Sequence, residues 1–139
     1  IQILEYAGEL FVHLVVTPAL GHNTGIPRIE ELVRNWNRFC DQLHGGCIFV
    51  TASTEFSERP GKIRDFILQQ QKAWVDSLRR IAESAIKAGD FRNDIDCEQF
   101  AFDLYSLLLG FFYYHQLLQN MDTKHRQEIA LKQLINNYR

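Results

Sequence analysis

At 139 residues, with 46% hydrophobic and 23% charged side chains, the chain has the composition of one soluble globular domain, long enough to bury roughly two-thirds of its unfolded surface. Its net charge of −2, with acids and bases mixed along the whole length, leaves no basic stripe to neutralise phosphates and excludes nucleic-acid binding by this segment itself. Three cysteines, an odd number without a secretory leader, fit free thiols in a reducing cytoplasm rather than a disulfide framework.

The chain opens at Ile1 in mid-pattern, so a preceding segment is expected, and Glu5, Glu9 and the lack of a basic n-region argue against a signal peptide. Residues 2–17 predict a first helix with Ile3, Leu4, Ala7, Leu10, Phe11, Leu14 and Val15 along one side. Thr17-Pro18 is expected to end or kink it, because proline lacks the amide donor and crowds the preceding turn. Gly21 to Gly25 reads as a loop.

A second helix, about 27–43, places Ile29, Leu32, Val33, Trp36, Phe39, Cys40 and Leu43 on one stripe, and Gly45 is its natural cap. A short third helix covers about 46–56. Pro60 suits the first turn of a fourth, which runs to about Ala88 with Ile63, Phe66, Ile67, Gln70, Trp74, Leu78, Ile81 and Ala85 inward, and Gly89 stops it. Asp96 with Gln99 three residues on resembles a capping box and opens a fifth helix ending near Leu118. The sixth starts near Asp122 or Thr123 and carries Leu131, Leu134, Ile135 and Tyr138 on one face. The expected architecture is all-α, six helices and no sheet.

The fifth helix is apolar almost all the way round. Leu104 to Met121 lacks formal charge over about the length of a membrane span, but Tyr113, Tyr114, His115, Gln116, Gln119 and Asn120 make it too polar for hydrocarbon. No membrane association is expected. A helix apolar on every face must be covered on every face. A symmetric homodimer built on the last two helices is therefore expected, through Leu107, Gly110, Phe111, Tyr114, Leu118, Leu131, Leu134, Ile135 and Tyr138, with His115 serving the same contact.

Catalytic and metal chemistry find no footing. Cys40, His44 and Cys47 offer only three zinc ligands without paired Cys-x-x-Cys spacing, and Cys40 lies on an apolar stripe. There are no Glu-x-x-His pairs for a di-iron bundle, no Gly-x-Ser-x-Gly elbow and no glycine-rich phosphate loop. No enzyme activity, cofactor or metal is expected. A short helix caught between long ones leaves a hollow instead. Trp36, Phe49, Ser53, Phe56, Gln70, Trp74 and Tyr105 are the side chains expected to line it, as a mostly apolar wall with a few polar groups. Gln70 stands out because an apolar stripe has no local use for an amide, whereas His13 reads as a core histidine.

The run Gly45-Gly46-Cys47-Ile48-Phe49-Val50, then Glu55-Phe56, then Arg59-Pro60-Gly61-Lys62-Ile63-Arg64-Asp65, resembles the middle of the ligand-binding domain of TetR/AcrR-type transcriptional regulators. So does Ala88-Gly89-Asp90-Phe91-Arg92-Asn93-Asp94-Ile95-Asp96 leading into Glu98-Gln99-Phe100-Ala101. The resemblance covers residues 1–139. It implies a cytoplasmic bacterial regulator's effector-binding and dimerisation domain, with 1–17 as the helix leading from a helix-turn-helix head that this chain lacks. Operator DNA would be reached only through that head, and a small, largely apolar effector would release a repressor from it. The rival reading is a helical homodimeric adaptor without a small-molecule ligand.

Overall fold

A computed structural model describes residues 2–21, 24–42 and 61–139, which form five helices and, among these residues, no strand. We label them α1 (Gln2–Leu20), α2 (Ile26–Gln42), α3 (Lys62–Lys87), α4 (Cys97–Phe112, prolonged by a π-helical turn Tyr113–Leu117) and α5 (Thr123–Tyr138). The all-α expectation holds. The short third helix expected at about 46–56, together with Leu43 and Gly45, lies outside the described residues, so the expected six helices are five among those described.

Of the two outcomes expected at Thr17-Pro18, an end to α1 does not occur. Val12–Val16 form a π-helical turn in which the Thr17 amide donates to the Val12 carbonyl, and the α-helix restarts at Thr17 with Pro18 in its opening turn. An amide donor is not needed there. The helix therefore runs on to Leu20, where the Gly21 amide donates to the Thr17 and Pro18 carbonyls, both at 3.2 Å. Asn35 of α2, only 2% exposed, donates from Nδ2 to the Val15 carbonyl at 3.3 Å and ties the π turn to its neighbour.

The apolar stripe of α2 is buried as its spacing demands: Ile29, Leu32, Val33, Trp36, Phe39 and Cys40 all lie in the core. Trp74, Leu78, Ile81 and Ala85 of α3 meet Phe100, Leu104 and Leu108 of α4 in the most extensive helix pairing among the described residues. Leu4 near the start of α1 packs with Ile67, Ile63 and Phe66 in a smaller cluster. By length and composition α1 would also suit a membrane span. Here it turns Leu4, Ala7, Val15 and Ala19 into the protein interior and leaves Ile3, Tyr6, Val12, Leu14 and Leu20 exposed.

Helix ends are closed by specific contacts. Gly89, at φ 83°, ends α3 with its amide on the Ile86 carbonyl while the Asp90 amide reaches Ala85, the paired pattern of a left-handed cap. The Asp90 carboxylate then accepts the Ile26 amide at the start of α2, at 3.0 Å. Asp96 caps α4 as expected, accepting the amides of Glu98 and Gln99 at 3.0 and 3.2 Å. The reciprocal half of the capping box is not made, because the Gln99 side chain donates forward to Asp103 at 2.9 Å. On α5, Gln127 exchanges two amide hydrogen bonds with Asn37 of α2, at 2.6 and 3.1 Å, and Tyr138 donates to Asp103 of α4 at 2.6 Å.

Candidate functional site

Four helices border a partly open cavity of about 200 Å³. α1 contributes Phe11 and, from its π turn, Val12 and Val16; α2 contributes Trp36; α4 contributes Tyr105. α3 supplies the rest: Gln70, Ala73, Trp74 and Ser77, with Gln71 beside them. Gln70, Trp74 and Ser77 fall at i, i+4 and i+7, one face of an α-helix, so a single side of α3 forms the floor.

The rings stack edge to face. Phe11 meets Phe39 at 5.3 Å between centroids and Trp74 at 4.8 Å, and Trp74 meets Tyr105 at 6.1 Å, all close to perpendicular. The Tyr105 hydroxyl donates to the Gln71 side-chain oxygen in a short hydrogen bond. The Ser77 hydroxyl donates to the Ala73 carbonyl at 3.0 Å. The Trp74 indole N–H is buried and has no hydrogen-bond partner. None of the described lining side chains carries a formal charge. Such a wall can hold an uncharged apolar molecule; among the described residues it offers no nucleophile–base pair, and no group of metal ligands occurs.

Of the seven side chains singled out from the sequence, Trp36, Gln70, Trp74 and Tyr105 come together here, whereas Phe49, Ser53 and Phe56 lie outside the described residues. Sequence reasoning missed Phe11, Val12, Val16, Gln71, Ala73 and Ser77 as lining residues. Ser77 was within reach, being one turn beyond Trp74 on the face that already held Gln70. Val12 and Val16 were not, because the π turn that presents them leaves no signature in the apolar spacing.

A second hollow, an open groove, runs between α4 and α5, bordered by Leu107, Gly110, Phe111 and Tyr114 on one side and by Thr123, Arg126, Gln127 and Ala130 on the other. The nine side chains expected at a dimer contact divide here. Phe111, Leu134, Ile135 and Tyr138 are buried in the chain's own core, and Leu107 and Leu131, partly buried, pack against that core. Tyr114 and Leu118 are each 51% exposed, and nothing stands within 4 Å of where a Cβ on Gly110 would be. Tyr113 and Leu117 extend the exposed apolar surface.

The histidines and cysteines do other work. His13 is exposed rather than in the core. His115 stacks on Phe111 at 5.3 Å and sets Nε2 3.0 Å from Asp41 Oδ1 at the end of α2. Cys40 is buried in the core and Cys47 and His44 lie outside the described residues; burial pushes the half-buried Cys97 thiol up from its ordinary value. On the solvent side of α3, the Arg79 guanidinium holds the exposed Asp76 carboxyl below its usual value and also pairs with Glu83. These are surface ion pairs.

Residues 25–131 match the family model described as "Tetracyclin repressor-like, C-terminal domain". Among solved structures, the chain is similar to a TetR transcriptional regulator from Chloroflexus aurantiacus J-10-fl, with a TM-score of 0.78 and 18% identity over 95% of this chain. The likeness spans 66% of that regulator's length. No curated protein matches in sequence.

Proposed function

The chain belongs to the tetracyclin repressor-like C-terminal domain family, and from that premise we propose that it is the effector-sensing and pairing domain of a bacterial transcriptional regulator, released from operator DNA by a small, largely apolar effector. The observation that carries this reading is the uncharged aromatic cavity between α1, α2, α3 and α4, bordered by Trp36, Gln70, Trp74 and Tyr105. Its α1 wall is a π turn, the kind of local irregularity that recurs at functional sites.

The mechanism follows from that wall. A ligand seated against Phe11, Val12 and Val16 favours one placement of α1 over another, and it shifts the equilibrium only by the difference in its affinity for the two. DNA contact belongs to a separate helix-turn-helix segment, since this one has net charge −2 and no basic stripe. Two such segments must sit about 34–36 Å apart to enter successive major grooves, so a tilt of α1 in each half of a pair changes operator affinity. The pair forms across the α4–α5 groove, where Gly110, Tyr114 and Leu118 remain available to a second copy.

A thermal-shift screen of uncharged small molecules tests this. An effector at 100 times its Kd adds about 2.7 kcal/mol of stability, and the same compound dissociates the complete regulator from its operator. If stabilising compounds leave operator affinity unchanged, the regulatory reading fails. The exposed Tyr113, Tyr114, Leu117 and Leu118 surface favours the second reading, an adaptor that recognises another protein and answers to no small molecule.

A further inference from the structure

α1 faces the interior along two stripes that do not share one register. Leu4, Ala7, Gly8 and Phe11 turn inward before the π turn, and Val15, Val16 and Ala19 after it. Spaced about two turns apart, Leu4 and Phe11 lead on to Pro18, yet Pro18 is exposed and Ala19 is the residue buried. The stripes are offset by one position. The turn Val12–Val16 absorbs the offset, because an i→i+5 turn holds one residue more than an i→i+4 turn. Taking the cavity as the effector site, a reading on which this inference rests, we propose that the extra residue turns Val12 into the cavity wall and that Asn35 is the positioning residue that holds it there. Asn35 thereby sets the affinity of the site from behind the wall, without meeting the occupant.

Between Phe11 and Val15 the chain sets three residues, Val12, His13 and Leu14, where a regular α-helix on the same two anchors sets a pair. Each step around the axis then falls from about 100° to about 75°. Val12, the first step, swings about 25° toward Phe11 and the cavity that both border. The sequence is committed to this turn by its alternatives. A continuous α-helix through the same residues would set Glu5 and Glu9 where Leu4 and Gly8 now lie, burying two carboxylates. Otherwise it would carry Pro18 into the helix interior, where proline lacks the donor and crowds the Leu14 carbonyl.

Pro18 also leaves the carbonyls before it one amide short. Asn35 of α2 supplies a donor, its Nδ2 reaching the Val15 carbonyl at 3.3 Å. Asn35 and Val15 are both buried, so neither group has water as an alternative partner. The next residue of α2, Trp36, borders the cavity, as do Val12 and Val16 of the turn. One hydrogen bond thus fixes the α1 wall against the α2 wall.

Bromobenzene is a suitable probe: an uncharged ring whose heavy atom quenches tryptophan, in a chain whose two tryptophans, Trp36 and Trp74, both border the cavity. Binding gives quenching that saturates, collision gives quenching linear in concentration. In the unsubstituted chain it should saturate. Asn35→Leu, similar in volume but without a donor, should weaken binding on the order of fivefold, the contribution of one neutral hydrogen bond. A chain lacking His13 and carrying Pro18→Ala joins the two stripes in one α register; it should stay helical and lose the saturating phase.

Urea unfolding separates positioning from packing. In the unsubstituted chain Asn35→Leu strands the Val15 carbonyl and should lower the midpoint. In the shortened chain the Ala19 amide reaches that carbonyl, the Asn35 amide is the group left over, and the same substitution should raise the midpoint. Unchanged affinity in Asn35→Leu, or a midpoint that moves the same way in both chains, overturns the role of Asn35. Full binding by the shortened chain overturns that of the extra residue; these results leave the cavity reading standing. Should the shortened chain not fold, Asn35→Leu alone decides: weaker binding with faster hydrogen exchange at the Thr17 amide upholds the proposal, and either one unchanged overturns it. If quenching never saturates in the unsubstituted chain, the cavity holds no such molecule and the reading beneath the inference falls with it.

Discussion

The Asp90 carboxylate accepts the backbone amide of Ile26 at 3.0 Å across a sequence separation of 64 residues, so the loop after α3 caps the start of α2. Gly25 makes room for it: its φ is 88°, and a Cβ there would lie 2.0 Å from Asp90 Oδ2. Asp90→Ala should cost about 1 kcal/mol in urea unfolding. Gly25→Ala should cost about 1–3 kcal/mol, and measurably less when Asp90 is already alanine, because only the backbone strain then remains. Equal costs in both backgrounds would mean that the carboxylate does not occupy the space beside Gly25.

Asn37 and Gln127 satisfy each other's amides between α2 and α5. Gln127→Leu alone strands the half-buried Asn37 amide and should destabilise by about 1–3 kcal/mol. Replacing both with leucine should recover most of that loss, since no polar group is left unpaired. A double variant as unstable as the sum of the two singles would show that the pair is not acting as a unit.

Burial first, and then the hydrogen bond to Asp103, raise the Tyr138 phenol above its ordinary value of 10.0. The folded chain thus holds this proton more tightly than the unfolded one. Its contribution to stability is complete below about pH 10 and is lost as pH rises through the folded value. The stability gap between the unsubstituted chain and Tyr138→Phe should therefore be constant from pH 7 to 9 and shrink above 10. A gap that does not change with pH would contradict the linkage.

Tyr114 and Leu118 border the proposed pairing face and are each half exposed. In sedimentation velocity the unsubstituted chain should run as a dimer, and Tyr114→Glu with Leu118→Glu as a monomer with unchanged far-UV dichroism, because like charges are then set against each other across an apolar contact. Identical mass for both proteins, whether monomer or dimer, would place the contact elsewhere or remove it.

Much of this was legible in the sequence, and the boundary follows physical range. The α2 stripe from Ile29 to Cys40 and the Asp96 cap on the amides of Glu98 and Gln99 depend on neighbours within a turn or two, and spacing reveals them. The same face rule found Gln70 and Trp74 together. Asp90 on Ile26 and Gln127 on Asn37 join residues 64 and 90 positions apart, and no local pattern marks such partners. Pro18 does not end the helix because its effect depends on hydrogen-bond register. A π turn just before it moves the proline into a position where it is harmless. On α4 and α5 the apolar content foretold a surface needing cover, but not which residues the chain would cover for itself, such as Phe111 and Tyr138.

The loop between α3 and α4 also bears on how the protein can be handled. Within three consecutive positions it holds the start of α2 through Asp90, fills the core with Phe91 between Phe100 and Tyr138, and secures the end of α5 through the Arg92 amide on the Tyr138 carbonyl at 2.9 Å. By length and exposure it looks like a convenient place to graft a tag, yet a peptide inserted between Asp90 and Phe91 would release three helix ends at once. One inserted between the exposed Asn93 and Asp94 disturbs only the surface pair of Arg92 with Asp94. Three positions apart in one short loop, the first graft unfastens the domain and the second leaves it closed.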